Sequence, residues 1–361
     1  MDDTPPSTNL RSSAKTRRAL AEERHAMSSS SPSSPYPPST ATTGSLVPTR
    51  RNSPFLPTPL ETAILALFPA LLAFGTLFSV LSPQVRRAEF DPTTQSHAQH
   101  PDEAPGYFAR KDNLLNVFFV KRGWFWTTVA FAAFVLTHPT FRGGRGAGGG
   151  SSPKRFVTAC TRWALITGAW FAATQWCFGP PLIDRHFMLT GGRCEVVLQE
   201  ARELEKAAAL DTGHVLSALA CKSAGGAWKG GHDISGHVFM LVLSSGFLLS
   251  EVGWVYWRHR GRRDDRSIVM HDRAVKGAGV EADSTTERTG GRPEDALALG
   301  GKAVAVVVGL NCWMLLMTAI YFHTWFEKVT GLVASAIALY AVYILPRFVP
   351  ALRQIVGLPG A

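Results

Sequence analysis

The chain has 361 residues, 46% of them hydrophobic and only 18% charged, with a formal net charge of +10. Its basic residues lie in an N-terminal tail and beside apolar runs, without any nucleic-acid reader motif, which excludes nucleic acid as a partner and fits membrane-flanking charge. The cysteines, Cys160, Cys177, Cys194, Cys221 and Cys312, have none of the spacings of a zinc site.

Residues 1–54 are rich in Ser, Pro, Thr and Arg and nearly devoid of large apolar side chains. Such a segment cannot bury enough surface to offset its ordering entropy, so a disordered tail is expected. Residues 55–350 read as an all-α, polytopic membrane domain with about six transmembrane helices, because the apolar runs approach the roughly 20 residues that a bilayer requires. The first run begins near residue 60, too late for a secretory signal peptide.

The expected spans are Leu60–Leu81, Gly123–Leu136, Phe156–Phe178, Gly236–Trp257, Ala303–Trp325 and Leu332–Val349. The second is short, and the LLNVFFVKRGWFW string leading into it is expected to be interfacial or re-entrant. The third carries Arg162 and Gln175, the fourth Glu251.

Arginine-rich clusters orient the spans. Arg50 and Arg51, then Arg142, Arg145, Lys154 and Arg155, then Arg258, Arg260, Arg262, Arg263 and Arg266 share one side of a six-span layout. The positive-inside rule makes that side cytosolic, although Arg86, Arg87, Lys121 and Arg122 sit near the opposite span ends. Both termini, including a tail at 351–361, and the loops 138–155 and 258–301 are then cytosolic, the loops without a fold of their own. Loops 83–122, 179–235 and 326–331 are lumenal. Within the second of these, CEVVLQEARELEKAAAL reads as a short amphipathic helix. Cys194 and Cys221 share that loop and can pair if it faces an oxidising compartment.

The most informative string is GGHDISGHVFML, where a polar loop gives way to the fourth span. Ser235 is placed as N-cap, with Gly236 and His237 in the first turn. Unpaired N–H groups and positive dipole density make a helix N-terminus a seat for phosphate. An imidazole beside it can hold, attack or protonate a phosphoryl group. His323 ends the fifth span, so antiparallel connection brings it to the same membrane face as His237. One interfacial histidine is an ordinary amphipathic residue; two converging on one face point to a site. Asp233 and Ser235 can cap the fourth helix. Glu327, four residues after His323, can accept an imidazole N–H if the helix continues that far. Lys222 and Lys229 can neutralise phosphate charge. A haem would need ligands inside the bundle, and zinc would have to recruit His232 and Asp233, so no metal or other cofactor is expected.

GGAWKGGHDISGHVFML and YFHTWFEKVTGL resemble the two signature regions of the fat storage-inducing transmembrane (FIT) proteins, and Asn113–Thr127, NLLNVFFVKRGWFWT, resembles that family too. The layout agrees over residues 55–350, and the basic loop and Ser/Pro-rich N-terminus resemble a fungal-type member. The resemblance implies an endoplasmic reticulum protein with a lumenal site like that of lipid phosphate phosphatases. It implies hydrolysis of long-chain fatty acyl-CoA to acyl-4′-phosphopantetheine and adenosine 3′,5′-bisphosphate, without metal, in support of lipid droplets and phospholipid balance. His237 matches the Ser-Gly-His motif of that superfamily and His323 the histidine of the later motif. The implied roles are nucleophile for His323 and acid for His237, although the sequence alone does not fix which takes which. The chain departs from the superfamily in lacking a Lys-x6-Arg-Pro motif, and Met317-Thr318 stand where a Ser-Arg pair would precede His323. The phosphate-gripping residues are therefore open. The alternative is a non-catalytic neutral-lipid-binding protein that partitions triacylglycerol or diacylglycerol into droplets.

Overall fold

The computed structural model describes residues 1, 52–91, 96–141, 152–175, 180–196, 217–223, 226–260, 262, 264–278 and 299–360. The tail expected at 1–54 lies outside them, save Met1 and residues 52–54. Arg51–Ala361 forms one compact unit.

Among the described residues, six helices of 15 residues or more make the body: α1 (Pro59–Leu81), α2 (Gly123–Thr137), α3 (Ser152–Thr174), α4 (Gly236–His259), α5 (Leu299–Tyr321) and α6 (Trp325–Tyr343). Four of them, α1, α4, α5 and α6, are long and apolar enough to cross a membrane. The chain is a polytopic, all-α membrane protein. α2 has only 15 residues, and α3 carries Arg162.

Local chemistry starts these helices. At α1, Thr58 and Glu61 form a reciprocal capping box with Pro59 in the first turn; at α6, Thr324 and Glu327 do the same. At α4 the Ser235 hydroxyl accepts the N–H of Val238 (3.3 Å).

α4 is the axis of the bundle and packs on the other five helices. Its residues Leu241–Leu248 are all buried. Lipid tails are as apolar as leucine, so helices in a bilayer associate through close packing and polar contacts. Small residues provide the packing: Gly75 of α1 abuts Ala319 of α5, and Gly300 of α5 abuts the backbone of Phe134 in α2. Polar links cross the interior as well. Thr127 and Ser244 share a hydrogen bond (2.6 Å), and the Asn311 amide donates to Ser244 (2.9 Å). Arg162 grips both oxygens of Glu251 (2.6 and 2.7 Å), the Tyr343 hydroxyl donates to the same carboxylate (2.9 Å), and Arg162 also donates to the Val356 carbonyl (2.9 Å). A charge pair taken out of water needs this degree of saturation.

Several boundaries differ from expectation. α5 stops at Tyr321 rather than Trp325, and α6 begins at Trp325 rather than Leu332. The expected loop 326–331 is thus helix, and the turn is compressed into residues 322–324, because the Thr324–Glu327 capping box starts a new helix at once. The 258–301 segment contains a folded hairpin, β5 (Ser267–Val269) with β6 (Val275–Gly277), which buries Ile268 and Ala278 with Leu358. The expected tail at 351–361 falls largely in a short helix, Pro350–Val356, with Arg353 and Val356 buried. In the segment read as an amphipathic helix, Cys194–Val196 belongs to strand β3 (Arg193–Val196), paired antiparallel with β4 (Gly226–Lys229); residues 197–210 lie outside the described residues. Farther upstream a small pair, β1 (Phe90–Asp91) with β2 (Ser96–His97), lies between α1 and α2.

Candidate active site

Three backbone features bring His237 and His323 together. Ser235 is fully buried, and its N–H donates to the carbonyl of Glu327 (3.2 Å), joining the start of α4 to the first turn of α6. Gly331 permits that approach: a Cβ there would lie 2.8 Å from the Ser235 carbonyl oxygen and 3.2 Å from Val238. Finally, Phe322 bridges Ser96 of β2, and His323 itself adopts φ +58°, turning the chain from α5 into α6. That left-handed conformation is unfavourable for a residue with a Cβ and clusters at functional positions.

The two imidazole centroids are 6.3 Å apart, a gap that a single phosphoryl group can bridge. His237 is exposed and His323 partly so. His323 Nδ1 meets Glu327 Oε2 at 3.2 Å, and the same oxygen accepts the Thr324 N–H (3.1 Å). One carboxylate therefore caps α6 and fixes the ring, leaving Nε2 for chemistry. The contact forms across the break between two helices, not along one continuous helix. Gly236 opens α4 beside Ser235, so their combined seat at the helix N-terminus lies next to His237.

Other expected site residues fall around this centre. Asp233 is partly buried; burial pushes its carboxyl above the usual range, with the nearby His323 opposing and Glu327 adding to the rise. The His232 N–H donates to Thr190 (2.7 Å), its ring lies 4.2 Å from that of Phe326, and burial lowers its pKa while Glu327 opposes. Lys229 is exposed at the end of β4, opposite Arg193. Cys194 and Cys221 are joined as a disulfide, their Cα atoms 5.7 Å apart, and Gly226 lies against both sulfurs. Among the described residues no group of three or more His, Cys, Asp or Glu is arranged to hold a metal ion.

Two cations escaped the sequence reading of the site. The charges of Lys111 and Lys121, from the segment between β2 and α2, reach the His237 ring along with that of His323. Only Lys121 carried a signal, as a cation at a span end on the site's side.

The model of the fat storage-inducing transmembrane protein family matches residues 104–343, which include both histidines and both lysines. The chain belongs to this family. It is 32% identical over 251 residues to the acyl-coenzyme A diphosphatase fit1 of Schizosaccharomyces pombe, covering 70% of this chain and 78% of that one. The acyl-coenzyme A diphosphatase SCS3 of Saccharomyces cerevisiae is 24% identical, over 64% of this chain and 87% of the relative. The acyl-coenzyme A diphosphatase FITM2 of Caenorhabditis elegans is 23% identical, over 75% of each. No solved structure matches.

Proposed function

We propose that this FIT-family protein is a fatty acyl-CoA diphosphatase. It splits the diphosphate of long-chain acyl-CoA into acyl-4′-phosphopantetheine and adenosine 3′,5′-bisphosphate. The observation that carries this reading is the paired imidazoles at the capped start of α4, 6.3 Å apart, in a chain whose relatives bear that enzymatic name.

The chemistry follows from the geometry. His323, held through Nδ1 by Glu327, attacks one phosphorus through Nε2. The P–N bond forms as the bridging P–O bond breaks, and His237, protonated once the negative charge of the bound diphosphate lies beside it, gives its proton to the leaving phosphate oxygen. Water then cleaves the P–N bond and releases the second product. Amides at the start of α4 stabilise the negative charge that builds on the phosphoryl oxygens. The acyl chain stays among membrane lipids while the nucleotide faces water.

In this reading α2 and α3 also cross the bilayer, giving six spans in the endoplasmic reticulum membrane. Both termini and the 258–301 segment face the cytosol, the two histidines face the lumen, and the activity supports lipid droplets and phospholipid balance. Protection of the 258–301 segment from protease in sealed microsomes would reverse this orientation.

The deciding experiment incubates purified protein with long-chain acyl-CoA and measures adenosine 3′,5′-bisphosphate. Wild type should release it; His237→Ala and His323→Ala should each lose several orders of magnitude in rate while still inserting into membranes. Residues that act as a unit are non-additive, so the double substitution should be little worse than either single one. Wild-type turnover in either single variant would overturn the mechanism. Triacylglycerol binding without nucleotide release would favour a lipid-partitioning role instead.

A further inference from the structure

We propose that Lys328 is a positioning residue for His323: its buried ammonium donates to the α5 carbonyl that the His323 turn leaves without a partner, and so keeps the ring in place where α5 gives way to α6. This rests on the reading of His323 as nucleophile above for its effect on turnover, but not for the tie itself.

The end of α5 leaves a carbonyl in need of a donor. The N–H of Phe322 still donates to the Thr318 carbonyl (3.1 Å), the last rung of the helical ladder. The next rung would run from the His323 N–H to the Ala319 carbonyl, but the left-handed φ of His323 (+58°) ends the helix there. Ala319 is fully buried, its methyl group against Gly75 of α1, so water does not reach its carbonyl. A buried carbonyl without a partner is costly. The Lys328 ammonium donates to it at 2.5 Å.

Its own helix disfavours a cation at this position. Lys328 lies in the first turn of α6, its N–H bonded to the Thr324 carbonyl (3.2 Å), where the helix dipole opposes positive charge. The last turn of α5 has no basic residue of its own, and there a cation is favoured. Lys328 thus reaches from the helix end that repels its charge to the one that attracts it. A lysine buried at the start of a membrane-spanning helix is costly and persists where it pairs with a definite group.

The tie closes the chain from Ala319 to Lys328 into a ring with His323 inside it. Glu327, the adjacent residue, holds the His323 imidazole and the Thr324 N–H, and Ser96 bridges Phe322. The carboxylate therefore orients the imidazole, and the ammonium sets where the turn begins. Without the ammonium the Ala319 carbonyl must find water, and the turn has to open to admit it. The imidazole of His323 then leaves its place 6.3 Å from that of His237.

The test uses full-length protein and two readouts, acyl-CoA turnover by nucleotide release and amide hydrogen exchange of the 322–324 turn. Lys328→Met fills similar space without a donor. It should lower kcat roughly 10- to 100-fold with little change in KM, as displacement of an attacking group by about 1 Å does. Exchange in the turn should quicken about 10-fold, because a local tie is lost. Lys328→Arg keeps the cation and should recover most of both, and Ser335→Ala, deeper in α6, should change neither. Should the methionine variant fail to insert into membranes, Lys328→Gln, whose shorter amide is a milder change, carries the same expectation. Wild-type kcat and exchange in a folded variant without the ammonium overturn the assignment, as does a loss of Tm alone, which would make Lys328 a stabilising tie. A wild type that releases no nucleotide from acyl-CoA refutes the substrate, and exchange of the turn in the variants then still decides the tie.

Discussion

The N–H of Ser235 donates to the carbonyl of Glu327, 3.2 Å away. The residue that caps α4 is thus bonded to the residue that closes the capping box of α6. His237 lies two residues after one end of this bond and His323 four residues before the other. The spacing of the imidazoles is set by main chain and caps, with few freely rotating side chains between them.

Glu327 serves both the cap of α6 and the His323 ring, and these roles can be separated. Glu327→Gln keeps an oxygen for the Thr324 N–H but removes the carboxylate charge facing His323. We expect kcat to fall roughly 10- to 100-fold with little change in KM or Tm. Glu327→Ala should lose more activity and also about 1 kcal/mol of stability through the missing cap. Steady-state kinetics with thermal unfolding measures both; a glutamine variant with wild-type kcat would leave Glu327 as a cap alone.

Gly331 marks a place where α6 lies close against the start of α4. Gly331→Ala would drive a methyl group against the Ser235 carbonyl and cost about 1–3 kcal/mol as overpacking. Activity should fall with stability, because the histidines are pushed apart. Gly309 in α5 has open space around it, so Gly309→Ala should leave Tm unchanged or raise it. Equal Tm for the two alanine variants would contradict the close contact.

The bridge between Cys194 and Cys221 spans 27 residues of sequence. Closing a loop of that length stabilises the folded chain by about 3.5 kcal/mol in the chain-entropy treatment. Non-reducing peptide mapping of membrane-extracted protein should recover the linked pair, and Cys194→Ser should lower Tm. Two alkylatable thiols in the native protein would refute the bond.

A pH signature is expected from Asp233, whose carboxyl is raised above its ordinary value chiefly by burial. Between the ordinary and the raised value the folded state holds more protons than the unfolded one, so stability falls as pH rises through that window. Asp233→Asn should flatten this part of the Tm-against-pH curve and raise Tm at neutral pH. An unchanged slope would mean that another group sets it.

Much of the bundle was legible because apolar run length reports helices directly. The histidine pairing followed from antiparallel connection of consecutive spans, which needs no alignment. The 322–324 turn was not legible, since a left-handed histidine leaves no compositional mark of the kind glycine leaves. The Thr324–Glu327 pattern does signal a helix start, but the apolar run reads as continuing to Trp325, which puts Thr324 in the fifth span and Glu327 in the loop after it. Lys111 was hidden for another reason. Its placement depends on Gln99 and on the Ser96–Phe322 bridge, long-range contacts with no periodicity.

Arg162 emerges from the ribosome 89 residues ahead of Glu251, its buried partner. An arginine midway along a membrane helix costs about 2.5–3.5 kcal/mol on insertion scales. On the proposed six-span layout α3 is therefore a reluctant entrant to the bilayer during synthesis, and it gains its counter-charge only when α4 is made. Since α4 also carries His237, assembly of the membrane domain and completion of the site await the same helix. A nascent chain halted between the two would leave α3 uncommitted, exposed to the quality-control machinery that reads unpaired charge in membrane segments.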